Sequence, residues 1–181
     1  DHIRLLSSTG SIKEQIDMIK MCSGEKANLV LMDNNVLKSP KFDKIIEDII
    51  ELGFGKDATF ISSKSKRRVR RYVDFNQGLD ANFINKEKAE LLAKIQLRPV
   101  RIAFDTIAQT EKYIKAVRLC FDAGLRYFSN YILYNSDAAL WKGESFPADT
   151  PANLYERLRI NVDLREKLQN ELLQAGSKDV V

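Results

Sequence analysis

The stretch Tyr72-Val73-Asp74-Phe75-Asn76-Gln77-Gly78-Leu79-Asp80-Ala81 passes from a short apolar run into amides, a glycine and a carboxylate. A buried strand that ends at a polar face and turns into a loop has this pattern. Gly78 permits the turn or a close approach to a ligand, and the neighbouring amides both donate and accept. Residues 28–35, 100–106 and 127–135 repeat the plan, an apolar run followed by Asp, Asn or Thr. The tips of these runs are the candidate functional positions.

Helical patterns separate the strands. Ile12, Ile16 and Ile19 fall at helical spacing behind Ser11 and Glu14, and Gly24 ends that helix. Leu29-Val30-Leu31-Met32 reads as a strand buried on both faces of a parallel sheet. Ser39-Pro40 predicts the next helix start, with an apolar stripe from Phe42 to Leu52. Asn85 caps a third helix, Tyr113 to Phe121 lie on a fourth closed by Gly124, and Thr150-Pro151 opens a long fifth. On the fifth, Leu154, Leu158, Val162, Leu168 and Leu172 are expected inward. Residues 141–147 read as a loop. Residues 53–71 lack any period and read as a flexible basic loop or insertion within one domain, 1–181.

The order, one helix and then four strand–helix units, argues for a parallel sheet with right-handed crossovers. Four units do not close a barrel. A complete small α/β domain stays possible, but the chain begins at Asp1 and stops at Val181, and both ends read as cuts through something longer. The expectation is therefore a piece of a (β/α) barrel, whose sites lie at the C-terminal strand ends.

Charge and residue types exclude several functions. The net charge of +4 is local: Lys64, Lys66, Arg67, Arg68, Arg70 and Arg71 supply it, and the rest of the chain is slightly acidic. That run could contact nucleic-acid phosphates, with Tyr72 stacking on a base, or it could be a solvated loop. The lone histidine, His2, rules out a catalytic triad and a histidine-rich metal site. No glycine-rich dinucleotide fingerprint or phosphate loop is present. Cys22 and Cys120 make no C-x-x-C pair and read as inert. With neither a signal peptide nor a membrane span, the expectation is a cytoplasmic protein. The tips Asp33, Asn34, Asn35, Asn76, Gln77, Asp80, Asp105, Asn130, Tyr134 and Asn135 would face one end of the sheet. Such residues also cap helices and loops; as a ligand cup they suit a small molecule with an amine, a carboxylate and a ribose.

The stretches 28–54 (NLVLMDNNVLKSPKFDKIIEDIIELGF), 72–84 (YVDFNQGLDANFI), 98–105 (RPVRIAFD), 128–135 (FSNYILYN) and 151–164 (PANLYERLRINVDL) together resemble the core of the radical S-adenosylmethionine (SAM) enzymes. The resemblance implies a partial (β/α)6 TIM-like barrel, about strands two to five. It implies SAM as cofactor and, in the complete protein, a [4Fe–4S] cluster that reduces SAM to a hydrogen-abstracting 5′-deoxyadenosyl radical. Asp33, Asn34 and Asn35 would fall where the family holds the SAM amino group. Asn76, Gln77, Asp105, Asn130, Tyr134 and Asn135 would fall where ribose, carboxylate and adenine contacts lie. The Cys-x3-Cys-x2-Cys signature is absent and would lie upstream of Asp1, so this chain alone is expected to be inactive, with its substrate undefined. The other reading is a non-catalytic α/β module that contacts nucleic acid through residues 64–71. A barrel fragment would also leave exposed sheet edges, a route to self-association.

Overall fold

A computed structural model describes residues 12–32, 35–62, 64–134, 139–141, 144–146 and 148–181. In chain order the elements are α1 (Ile12–Ser23), β1 (Asn28–Leu31), α2 (Phe42–Ile49), β2 (Thr59–Ile61), β3 (Arg68–Arg70), β4 (Tyr72–Phe75) and β5 (Leu79–Asp80). They continue with α3 (Lys86–Leu92), β6 (Val100–Ala103), α4 (Thr110–Asp122), β7 (Phe128–Tyr131), β8 (Ala139–Trp141), β9 (Glu144–Phe146) and α5 (Pro151–Gln174).

The architecture is mixed α/β, with small parallel and antiparallel sheets. β1 pairs with β4 in parallel, and β5, β6 and β7 form a second parallel group. Val73 joins the two groups: its N–H donates to Gln96 O at 2.8 Å, and Arg98 N–H donates to Val73 O at 2.9 Å. Parallel strand positions thus follow one another in sequence order. Among the described residues they do not close into a barrel.

Helix contacts and strand burial show how the layers are arranged. Consecutive helices touch, α1 on α2, α2 on α3, α3 on α4 and α4 on α5, so they form one layer. Val73, Phe75, Val100, Ile102 and Phe128 are buried beneath it, while their alternates Tyr72, Asp74, Arg101, Ala103 and Ser129 are only half-buried. Successive strand residues face opposite sides, so helices cover one face of the sheet and leave the other open. This corrects the expectation for Leu29-Val30-Leu31-Met32. Val30 is 50% and Met32 64% exposed, because no second helix layer among the described residues buries them. Phe104 stacks on Tyr113 of α4, ring centroids 4.4 Å apart, and anchors the centre of the core. Side chains buried to this degree contribute about 1.5–3 kcal/mol each.

Local signals explain most boundaries. Asn85 Oδ1 accepts from Lys88 N at 2.8 Å and Thr150 Oγ1 from Asn153 N at 3.1 Å, as N-caps. Gly24 and Gly124 follow α1 and α4 at φ 69° and 93°, where side-chain-bearing residues are strained. Ser39-Pro40 makes a turn instead of a cap, and α2 begins at Phe42 without a side-chain cap.

Three other expectations need correction. Residues 59–61 and 68–70, expected as loop, form an antiparallel hairpin in which Phe60 faces Val69. Residues 139–141 and 144–146 form another hairpin, where 141–147 read as loop. On α5, Leu158 and Val162 are 47% and 54% exposed, whereas Arg157 and Asn161 are buried with Leu168 and Leu172. The inward face of α5 crosses strand ends whose carbonyls need donors, and a purely apolar stripe would leave them unsatisfied.

Candidate functional site

The open face is built in tiers along the strands. At the strand starts lie Asn28, Tyr72 and Arg98. Above them Asp74 of β4 grips Arg101 of β6 through two bonds, Nε to Oδ1 at 2.9 Å and Nη2 to Oδ2 at 3.1 Å. Higher still, Asn76 Nδ2 donates weakly to Met32 Sδ at 3.5 Å, and Tyr131 of β7 lies against Gly78. At the C-terminal ends are Asn35, Asp80 and Asp105.

The Asn76-Gln77-Gly78 turn shapes this upper end. Asn76 N–H donates to Leu31 O at 3.1 Å, and Gly78 N–H closes on Phe75 O at 2.9 Å. Gly78 has φ 82°, and a Cβ there would lie 3.8 Å from Tyr131 Cγ. The turn lets β5 resume beside β6, where Asp80 registers with Ala103 on the open face. Asp80 is engaged on both oxygens: Oδ1 accepts from Asn82 N at 2.9 Å and Oδ2 from Asn35 Nδ2 at 3.1 Å.

Asp105 lies close enough to Asp80 for each to oppose the other's charge. Desolvation holds the Asp105 carboxyl above its ordinary range; Leu133 N–H and Arg157 pull it down, and Asp80 pushes it up again. Arg157 reaches in from α5, donating to Phe104 O at 2.8 Å and Leu133 O at 3.1 Å, and pairs with Asp149. It ties together the C-terminal ends of β6 and β7.

The candidate residues separate. Asn35, Asn76 and Asp105 gather at the upper open face with Asp80. Gln77 is exposed at the turn, and its side chain makes no hydrogen bond among the described residues. Tyr134 is 44% exposed beyond β7. Asn130 turns the other way, to the helix side of the sheet, where it stays exposed while its Oδ1 accepts at 3.1 Å from the Tyr113 hydroxyl that also meets Asn161. Register explains this, because Asn130 pairs with buried Ile102. Asp33, Asn34 and Asn135 lie outside the described residues.

Sequence reasoning missed Asp74, Arg101, Tyr131 and Arg157. Strand parity was the available signal for the first two: with Val73 and Phe75 inward, Asp74 must face the open side. Arg157 had none, since its neighbours suggested an apolar helix face. Within the basic run, Arg71 is not a free cation. Its guanidinium lies 4.8 Å from the Phe54 ring and 4.8 Å from the Phe60 ring, and it pairs with Glu25 at 3.1 Å. Lys64, Lys66, Arg67, Arg68 and Arg70 are exposed.

Cys22 is exposed on α1 and Cys120 is buried in α4, and no group of three His, Cys, Asp or Glu placed to hold a metal occurs among the described residues. These residues do not fit an iron–sulfur cluster. No helix among them is long and apolar enough to cross a membrane. Comparison with protein-family models, characterised proteins and solved structures finds no match to this chain.

Proposed function

We propose that this chain is part of a radical SAM-type (β/α) barrel core and that the upper end of its open face contributes to an S-adenosylmethionine-binding surface. The observation that carries the reading is the one-sided architecture. Sequential parallel strands under one helix layer leave a polar face, and its C-terminal end gathers Asn35, Asn76, Asp80 and Asp105. Ligands of parallel α/β sheets bind at that end.

The donor set suits the cofactor. The Asp105 carboxylate can take an ammonium or ribose hydroxyl, and the Asn76 and Gln77 amides can meet a carboxylate or an adenine edge. Asp80, held by Asn35 and Asn82, fixes the loop and supplies negative potential toward a sulfonium or ammonium. When bound in the complete protein, SAM supplies hydrogen-abstraction chemistry; this chain's residues bind and orient it.

Titration calorimetry with SAM tests the reading. Binding should weaken at least fivefold in Gln77→Ala and in Asp105→Asn, with the fold intact by circular dichroism. Unchanged affinity in both variants would sink it.

The second reading, a nucleic-acid-binding module, rests on the β2–β3 hairpin. Arg68 and Arg70 register with Ile61 and Thr59 on one exposed face, a short cationic strip. Affinity for single-stranded RNA that falls steeply with salt, and falls again in Arg68→Ala/Arg70→Ala, would favour it.

A further inference from the structure

The open face has a concavity at the opposite end of the strands from Asp105. This cavity of about 310 Å3 is lined by Asn28, Val30, Tyr72, Asp74, Arg98 and Pro99. Its charges do not cancel. Asp74, the one carboxylate in the lining among the described residues, is already held by Arg101 through two hydrogen bonds. Arg98 has no ion pair among the described residues.

Arg98 is nevertheless held in place. Its N–H donates to Val73 O at 2.9 Å, which ties the backbone to β4. Its guanidinium lies 3.8 Å from the Tyr127 ring centroid and 5.2 Å from that of Tyr72. Nη1 donates to the Tyr72 hydroxyl at 3.3 Å. Nε and Nη2 have no acceptor among the described residues, and together they form the edge that a planar carboxylate meets through two parallel bonds. A half-buried cation stacked on aromatic rings, without a counter-ion, costs desolvation that an incoming anion recovers.

We infer that this cavity binds a small organic monocarboxylate with an apolar body, its carboxylate held by Arg98. Two guanidinium groups against one carboxylate leave one positive charge, which matches a monoanion. A phosphate dianion would carry surplus charge beside Asp74. Val30, Pro99 and the Tyr72 ring give the ligand's body an apolar wall, and the volume lies at the small end of ligand pockets. The site is independent of the SAM reading, since it uses none of the strand-tip residues.

Benzoate is the probe, titrated into the full chain at constant ionic strength with chloride as balance. Saturable binding should shift the Arg98 Nε–H and Tyr72 ring resonances. At ten times its dissociation constant, benzoate should raise the thermal midpoint by roughly 3–6 °C. Arg98→Gln should lose at least tenfold in affinity, and Arg98→Lys should recover part of it. Absence of saturable shifts, shifts confined to residues away from the cavity, or equal affinity in Arg98→Gln would overturn the proposal. An equal response to sulfate at the same ionic strength would overturn it too, as a general anion effect. Should Arg98→Gln fail to fold, the location of the shifts in the unaltered chain decides.

Discussion

At Asp105, desolvation outweighs the help of Leu133 N–H and Arg157, and the carboxyl keeps its proton more tightly in the folded chain than in the unfolded one. The linkage has a definite sign. Stability from this group is fully present below the ordinary carboxylate pKa of about 4 and is lost as pH rises through the raised value. Asp105→Asn, which carries no charge, should flatten that decline. Urea midpoints measured between pH 4 and 7 should fall less steeply in the variant than in the parent chain. An identical slope would mean that Asp105 titrates as a solvated carboxylate.

The turn between β4 and β5 shows how one element places a site. Phe75 ends a buried strand, Asn76 and Gln77 turn outward, and Gly78 takes φ 82° so that Leu79 and Asp80 can pair with β6. An L side chain at that φ is strained by about 1–2 kcal/mol, while its Cβ, 3.8 Å from Tyr131 Cγ, would make only an ordinary contact there. Gly78→Ala is therefore expected to destabilise the chain by about 1–2 kcal/mol. It should also broaden the Asp80 and Asn82 amide resonances, because the turn positions both. Loss of stability without change at Asp80 and Asn82 would locate the effect in the turn alone. At the other side of the sheet, α5 acts through polar residues. Arg157 satisfies the carbonyls of Phe104 and Leu133, and Asn161 meets Tyr113, so the helix fixes strand ends as well as covering them.

For the whole molecule, the one-sided layering separates a protected interior from an accessible surface. Cys120 lies fully buried on the inner face of α4, and burial pushes its thiol up to about 12. Cys22 is exposed on α1. Because Cys22 is open to reagent, a maleimide reagent at neutral pH should label it quickly in the native chain. It should label Cys120 only after denaturation, as read by intact mass. Fast double labelling would show that the helix layer opens freely. The same layering leaves β1 paired on one side only, with β4, among the described residues. The far side of β7 is partly covered: Arg165 Nη2 donates to Phe128 O at 3.0 Å, and Tyr127 N–H donates to Val180 O at 3.2 Å.

The strand and helix order was readable from the sequence because it rests on local physics. Hydrophobic period, the caps at Asn85 and Thr150, and the stop at Gly124 each act within one turn of chain. The apolar run ending at Asn76 likewise announced both strand and tip. Hairpin β2–β3 escaped notice because its strands are three residues long and rich in arginine, too short for alternation to show. Arg71 read as one more cation of a basic run, and only the convergence of Phe54, Phe60 and Glu25 from separate segments made it a buried structural residue. The side on which each candidate faces depended on register across strands: pairing with Ile102 puts Asn130 on the helix side of the sheet, and pairing with Ala103 turns Asp80 outward. Local sequence fixes what a segment becomes, since propensity and capping are short-range. Which side chains meet depends on long-range pairing, and the ion pair of Asp74 with Arg101 and the cavity beside Arg98 exist only after the strands align.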